Sequence, residues 1–290
     1  VRSKPGEGSV FRFDLPLRAA PDPAAAATPA APVAANLTEG RLLLAEDSEA
    51  SQLAAAAILR KAGYTVDLAR DGAEAVTAAG AGRYDAILMD VRMPGLDGLG
   101  ATARIRALPG EAGRVPILAL TASALPGDAA RCLAAGMDAH LAKPVDRARL
   151  LTAVAALLAG RGRLAAEAAE PGSGHALVSR ETLEELRAAV GPGRLPDLIG
   201  VFAAETLSRL RRITAEPTPA RVEAEAHALQ SAAGTFGAAA LRDAAAALEI
   251  DAAAGDHAAV VAGVARLPAL VDRTLHALSR AVGVAVAGGN

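Results

Sequence analysis

Four apolar runs in the middle of the chain stop at residues that an apolar strand does not need. RLLLAE (41–46) ends on Glu46 with Asp47 next, DAILMD (85–90) ends on Asp90, VPILALTA (115–122) carries Thr121, and AHLAKP (139–144) carries Lys143. If these ends converge, three carboxylates repel one another and call for a hard divalent cation. Mg2+ suits them, because it prefers oxygen ligands and keeps several waters. A lysine beside the metal and a carboxylate supplies positive charge for a transferring phosphoryl group, and Thr121 can donate a hydrogen bond to a phosphoryl oxygen. That is phosphoryl chemistry by positioning and charge neutralisation. A lone Asp at a strand end is ordinarily a cap or turn residue; here the set carries the expectation.

Convergence needs a particular scaffold. Short apolar runs at 41–46, 64–69, 85–90, 115–122 and 139–144 alternate with helical patterns at 49–62, 72–81, 98–108, 127–135 and 146–160. Repeats of this kind predict an α/β, doubly wound, five-stranded parallel sheet with helices on both faces. In such a sheet the functional residues lie at the carboxyl ends of the strands.

LLLAEDSEASQ, ILMDVRMPGLDGL, ILALTA and GMDAHLAKPVD resemble the response-regulator receiver family in order and spacing, over about 41–160. The resemblance implies a flavodoxin-like fold with Asp90 as phospho-acceptor. It implies Glu46 and Asp47 as the acidic pair, Asp47 being the direct Mg2+ ligand, and the backbone carbonyl of Arg92 completing the protein ligands. It also implies that Thr121 and Lys143 respond to the phosphoryl group, and it matches Met93-Pro94 and Gly98 to the family's loop after the acceptor. Three positions before the lysine, where the family often has an aromatic residue, stands His140, the candidate switch partner of Thr121.

The last part of the chain, about 177–285, holds no convincing strand. Its periodic segments, 179–190, 196–215, 219–235, 239–254 and 257–282, predict an antiparallel helical bundle. In PARVEAEAHALQSAAGTFGAAAL, Val222, Ala226, Leu229 and Ala233 form one apolar stripe. His227 then points about 140° away, toward solvent, on the side of Gln230, Ser231 and Gly234. A neutral imidazole nitrogen is nucleophilic near neutral pH, so an exposed His227 suits phosphoryl carriage. His175, His257 and His276 sit in no comparable motif.

This segment resembles the histidine phosphotransfer (HPt) family, on Ala226-His227, Leu229, Ser231, Gly234, Phe236, Gly237-Ala238 and Leu248-Glu249. The resemblance implies a four-helix-bundle-type, all-α domain phosphorylated on His227. Gln230 stands where that family usually has lysine, which keeps a donor but loses a charge.

The opening VRSKPGEGSVFRFDLPLR (1–18) reads as a turn at Pro5-Gly6 and Gly8, then a strand through Phe11, Phe13 and Leu15. It resembles the end of the histidine kinase ATP-binding domain. An Ala/Pro-rich linker (19–40) and a second linker (161–176) separate the parts. The resemblances together imply the C-terminal part of a hybrid sensor histidine kinase that lacks the kinase catalytic core, leaving phosphotransfer activity only. The implied partners are an upstream histidine kinase core, in the same parent chain, and a downstream response regulator. Flow in either direction fits the pattern.

Composition sets the excluded classes. Thirty basic against 32 acidic residues leave no electrostatic footprint for nucleic acid and no polybasic membrane patch. The longest apolar runs fall short of the roughly 20 residues a membrane span needs, and no signal peptide is visible. The single Cys132 rules out an intrachain disulfide and fits a reducing, cytoplasmic compartment, whether or not a parent kinase is membrane-anchored. Two other readings compete: a docking module that works without phosphorylation, favoured by Gln230 and His140, and an aspartyl-phosphate phosphatase. The phosphatase reading is disfavoured because that fold usually puts its nucleophile on the first strand.

Overall fold

The computed structural model describes residues 2–4, 8–10, 40–121, 126–143, 145–160 and 177–283. The chain divides into two compact units, Val1–Asn36 and Leu37–Asn290. In the first, β1 (Arg2–Lys4) and β2 (Gly8–Val10) form an antiparallel hairpin with Ser3 opposite Ser9. The expected alternation through Phe11, Phe13 and Leu15 lies outside the described residues, as do both linkers except Gly40.

The second unit begins with β3 (Arg41–Ala45), α1 (Glu49–Lys61), β4 (Thr65–Ala69), α2 (Gly72–Ala81), β5 (Ala86–Asp90) and α3 (Gly98–Arg106). It continues through β6 (Ile117–Thr121), α4 (Pro126–Ala134), β7 (Ala139–Ala142) and α5 (Arg147–Leu158). The five strands are all parallel, in the order β4-β3-β5-β6-β7. Period-two alternation splits the central strands between two layers. Leu42, Leu44, Leu88 and Leu118 face the core shared with α1 and α5, while Leu43, Ile87, Met89 and Ile117 face that of α2 and α3. Strands buried on both sides explain why these runs read as continuously apolar. The order reverses between β3 and β5, and a crevice opens at the carboxyl ends of strands at such a switch point. Glu46 directly follows the first of these strands and Asp90 ends the second.

Helix starts are set locally. Ser48, Asp71, Asp97 and Asp146 cap α1, α2, α3 and α5, each accepting from a backbone N–H three residues on. After Asp97, Gly98 is required by packing: a Cβ there would lie 2.1 Å from the carbonyl oxygen of Asp90. Gly98→Ala is therefore expected to cost about 1–3 kcal/mol by forcing the two segments apart, although alanine ordinarily favours a helix. A urea unfolding midpoint at or above that of the wild type would contradict this packing account.

Five helices follow: α6 (Arg180–Val190), α7 (Leu195–Ala215), α8 (Pro219–Thr235), α9 (Ala239–Ala254) and α10 (His257–Val282). Contacts run around a ring, α7 to α8 to α9 to α10 and back to α7, which makes a four-helix bundle with α6 at its side. The predicted stripe of Val222, Ala226, Leu229 and Ala233 is wholly buried, and Phe202 stacks on Phe236 at 4.7 Å. Gly237 turns the chain after α8 at φ +66° and accepts from the Ser179 N–H at 2.7 Å, tying that turn to the start of α6. The bundle packs on the sheet domain through α1, which touches α6, α7 and α8, so one apolar core runs from Leu42 to Leu278.

Candidate functional site

The carboxyl rim brings Glu46, Asp47 and Asp90 together, each offering an oxygen within 4.8 Å of the others. Lys143, at the end of β7, reaches into the group: its Nζ donates to Glu46 Oε2 and to Asp90 Oδ2, both at 2.6 Å. Its backbone N–H donates to the Thr121 carbonyl at 2.7 Å, which fixes the lysine to the end of β6. Asp90 Oδ1 accepts from the Arg92 N–H at 3.0 Å. Glu46, Asp90 and Thr121 are buried.

Burial pushes the Glu46 carboxyl up to about 8, Lys143 working against the rise and Asp90 and Asp47 with it. Burial raises Asp47 as well, against the pull of Arg209. For Lys143 burial acts downward, but the Asp90 and Glu46 carboxylates outweigh it and raise the ammonium. One lysine among three carboxylates leaves negative charge in excess. Glu46 Oε1 is buried with no hydrogen-bond partner, an oxygen that a hard cation would satisfy. The donor set therefore fits a divalent ion.

The helical bundle meets this rim. Lys143 Nζ also donates to Ser231 Oγ at 3.0 Å, one helical turn beyond His227 on α8. The Arg92 guanidinium donates to Glu249 Oε1 at 2.8 Å and to Glu223 Oε1 at 2.9 Å. Glu249 Oε1 also accepts from His227 Nδ1 at 3.0 Å. A carboxylate only accepts, so this bond places a proton on Nδ1, and in the neutral ring the lone pair is then on Nε2. Between the domains lies a cleft of about 500 Å3, lined by Val91, Arg92 and Thr121 on one side and by His227, Gln230 and Glu249 on the other. Gly234 is buried on α8.

One expectation is corrected. The sequence reading put His227 in solvent with no bulky neighbour; it is 5% exposed. Its face does lie opposite the apolar stripe, but the sheet domain and the Glu249–Arg92 pair cover it. His140 is not brought to the rim: it sits half-buried in the middle of β7, opposite Ala119.

Sequence reasoning missed Arg209 and Glu205 on α7. Arg209 donates to Glu205 Oε1 at 2.7 Å and Glu225 Oε2 at 3.1 Å, and pairs with Asp47 Oδ2 at 3.5 Å. Glu205 Oε2 accepts from Ser48 Oγ at 3.2 Å and the Ala50 N–H at 3.1 Å. A signal was present: Phe202, Thr206, Arg209 and Ile213 follow one buried helical stripe, an odd place for an arginine. Glu225, held also by Arg212 Nε at 2.5 Å, sits below its usual pKa because the two arginines outweigh burial. A depressed carboxyl contributes stability above its unfolded value that is lost as pH falls through the folded one. Glu225→Gln is therefore expected to flatten the loss of stability on acidification below about pH 4.5; an unchanged acid slope in denaturant titrations would count against these ion pairs.

A parallel sheet with an acidic rim and a lysine, docked to a bundle whose histidine lines the same cleft as Thr121, brings together the parts that phosphoryl transfer needs. Residues 42–155 match the response regulator receiver domain, and residues 178–277 match the Hpt domain. The chain thus carries a receiver domain followed by an Hpt domain and is homologous to hybrid histidine kinases, similarities that support phosphorelay signalling. Sensor histidine kinase AruS of Pseudomonas aeruginosa is 34% identical over 69% of this chain and 19% of its own length. Histidine kinase 5 of Arabidopsis thaliana is 36% identical over 38% of this chain and 15% of its own length. The chain therefore spans less than a fifth of either relative. Among solved structures, the receiver domain of a sensor histidine kinase from Pseudomonas aeruginosa PAO1, with a magnesium ion coordinated in its active-site cleft, is 50% identical. That match covers 42% of this chain and 98% of the other at a TM-score of 0.39. Among the described residues no helix is long and apolar enough to cross a membrane.

Proposed function

We propose that Asp90 accepts a phosphoryl group with Mg2+ held by Glu46, Asp47, Asp90 and the Arg92 carbonyl, and that His227 of the same chain exchanges it with Asp90. When bound there, the cation neutralises charge on the transferring phosphoryl oxygens. Lys143, already on Asp90 Oδ2, would hold one such oxygen, and Thr121 another. In the transfer the His227 Nε2 lone pair forms the new bond to phosphorus while the bond to the Asp90 carboxyl oxygen breaks, returning its electron pair to the carboxylate. Glu249, on Nδ1, stabilises the positive charge that the ring gains.

The observation that carries this reading is the double hydrogen-bonded link between the two residues. One path runs from Asp90 through Lys143 to Ser231, a turn from His227. The other runs from Asp90 through Arg92 and Glu249 to His227 itself. Within a wider relay, a kinase core would donate to Asp90 and a separate response regulator would exchange with His227. Residues 1–18 as the end of a kinase ATP-binding domain, and the domain limits 41–160 and 177–285, belong to the same proposal.

Transfer within one chain is tested by dilution. Linked domains face one another at an effective concentration of about millimolar. The share of label reaching His227 after loading with acetyl phosphate and Mg2+ is expected to be independent of protein concentration. A share that falls in proportion to dilution would put the transfer between chains, and no Mg2+-dependent label at all would leave a docking module.

A further inference from the structure

Arg209 is part of neither phosphoryl site, yet its side chain is only 10% exposed and reaches from the Hpt bundle to a carboxylate of the receiver's acidic cluster. Glu205 and Glu225 hold the guanidinium from its own side. Glu205 turns its other oxygen to Ser48 Oγ and the Ala50 N–H, at the start of α1. The loop carrying Asp47 is thus gripped twice by α7, once by charge and once by helix capping.

The strength of the charge grip depends on what the cluster holds. Three carboxylates against the single Lys143 ammonium leave a formal charge of −2. A divalent cation brings it to zero, and a proton on Glu46 in the metal-free state changes the size of that step but not its direction. A phosphoryl group on Asp90 replaces one negative charge by about two, so the phosphorylated, metal-loaded cluster is negative again. Arg209 is attracted to the first and third states and not to the second.

We infer that Arg209 makes docking of the Hpt domain on its own receiver depend on the state of the acidic cluster. Docking is favoured when the cluster is empty or phosphorylated, and weakened when it holds the metal alone. The inference rests on the reading of Glu46, Asp47 and Asp90 as a Mg2+ site. Linkage makes it reciprocal: whatever docking loses to the metal, the metal loses to docking. The receiver would then release the bundle while waiting for a phosphoryl group and take it back once loaded.

Two measurements on the full chain test this. Small-angle X-ray scattering should show a larger radius of gyration at saturating Mg2+ than in chelator, and a return toward the smaller value when fluoroberyllate, a phosphoryl mimic, is added with Mg2+. Calorimetric titration should show Mg2+ binding about tenfold tighter in Arg209→Met than in wild type, as removal of a nearby unit charge implies, with Arg209→Lys close to wild type and Asp47→Asn not binding. Equal Mg2+ affinities in wild type and Arg209→Met, with dimensions unchanged on loading, would overturn the role of Arg209 and leave the metal site standing. Absence of Mg2+ binding from the wild type would refute the metal site and this coupling with it. If Arg209→Met does not fold, because Glu205 and Glu225 lose their buried counter-charge, the wild-type scattering series decides alone.

Discussion

Asp90→Ala protein, given Mg2+ and acetyl phosphate, is expected to take up no phosphoryl group, at position 90 or at His227. The loss should be at least about 10^3-fold against wild type, the scale of removing a reacting group rather than its helper. The reason is positional. Asp90 ends β5 at the switch point of the sheet, between Glu46 on one side and Lys143 on the other. No other carboxylate of the cluster combines a contact to Lys143 with the hydrogen bond from the Arg92 N–H that fixes its second oxygen. His227 should be empty too, since in this account its label arrives through Asp90. Folding controls are required, because the substitution leaves Lys143 with one buried carboxylate partner instead of two. Label on His227 of the Asp90→Ala protein would separate the two sites and break the relay order.

His227→Gln protein should load at Asp90 as wild type does, keep the label there, and pass none to a separate receiver. A glutamine fills similar volume and can still donate to Glu249 from its amide, so the docked face should survive. It offers no nucleophilic nitrogen, because the amide lone pair is delocalised. Transfer is therefore expected to drop to background, again by at least about 10^3-fold. The contrast is informative: Asp90→Ala empties both sites, His227→Gln only the second. Wild-type transfer by His227→Gln would remove His227 from the relay.

Much of this was legible in the sequence, for identifiable reasons. The central strands β3, β5 and β6 are buried on both faces, so their runs are apolar almost without interruption, and the polar residues at their ends stand out at once. The bundle helices begin and end close to the periodic segments, since Pro196, Pro219, Gly191, Gly255 and Gly283 punctuate them. The acidic cluster with Lys143 could be anticipated because a parallel sheet brings its strand ends together whatever the loops do. The exposure of His227 could not. Helical periodicity tells which face avoids the bundle core, but not whether another domain covers that face. The same limit hid Arg209 and Glu205, whose partners Asp47, Ser48 and Ala50 lie more than 150 residues earlier in the chain. It also hid the part of Glu249, one carboxylate oxygen shared by His227 and Arg92 from different domains. His140 lies mid-strand opposite Ala119, three residues before Lys143, and its part as switch partner of Thr121 rests on that motif position.

The most direct measurement is a time course of label position. Wild-type chain is loaded briefly with labelled acetyl phosphate and Mg2+, the donor is removed, and the label is assigned by linkage chemistry and mass spectrometry. An acyl phosphate is cleaved by hydroxylamine, whereas a phosphoramidate on histidine survives base and is lost in acid. The expected result is label on Asp90 first, dependent on Mg2+, followed by its appearance on His227 as the Asp90 signal declines. Label that reaches His227 before Asp90, or that stays on Asp90 until it hydrolyses, would contradict the account.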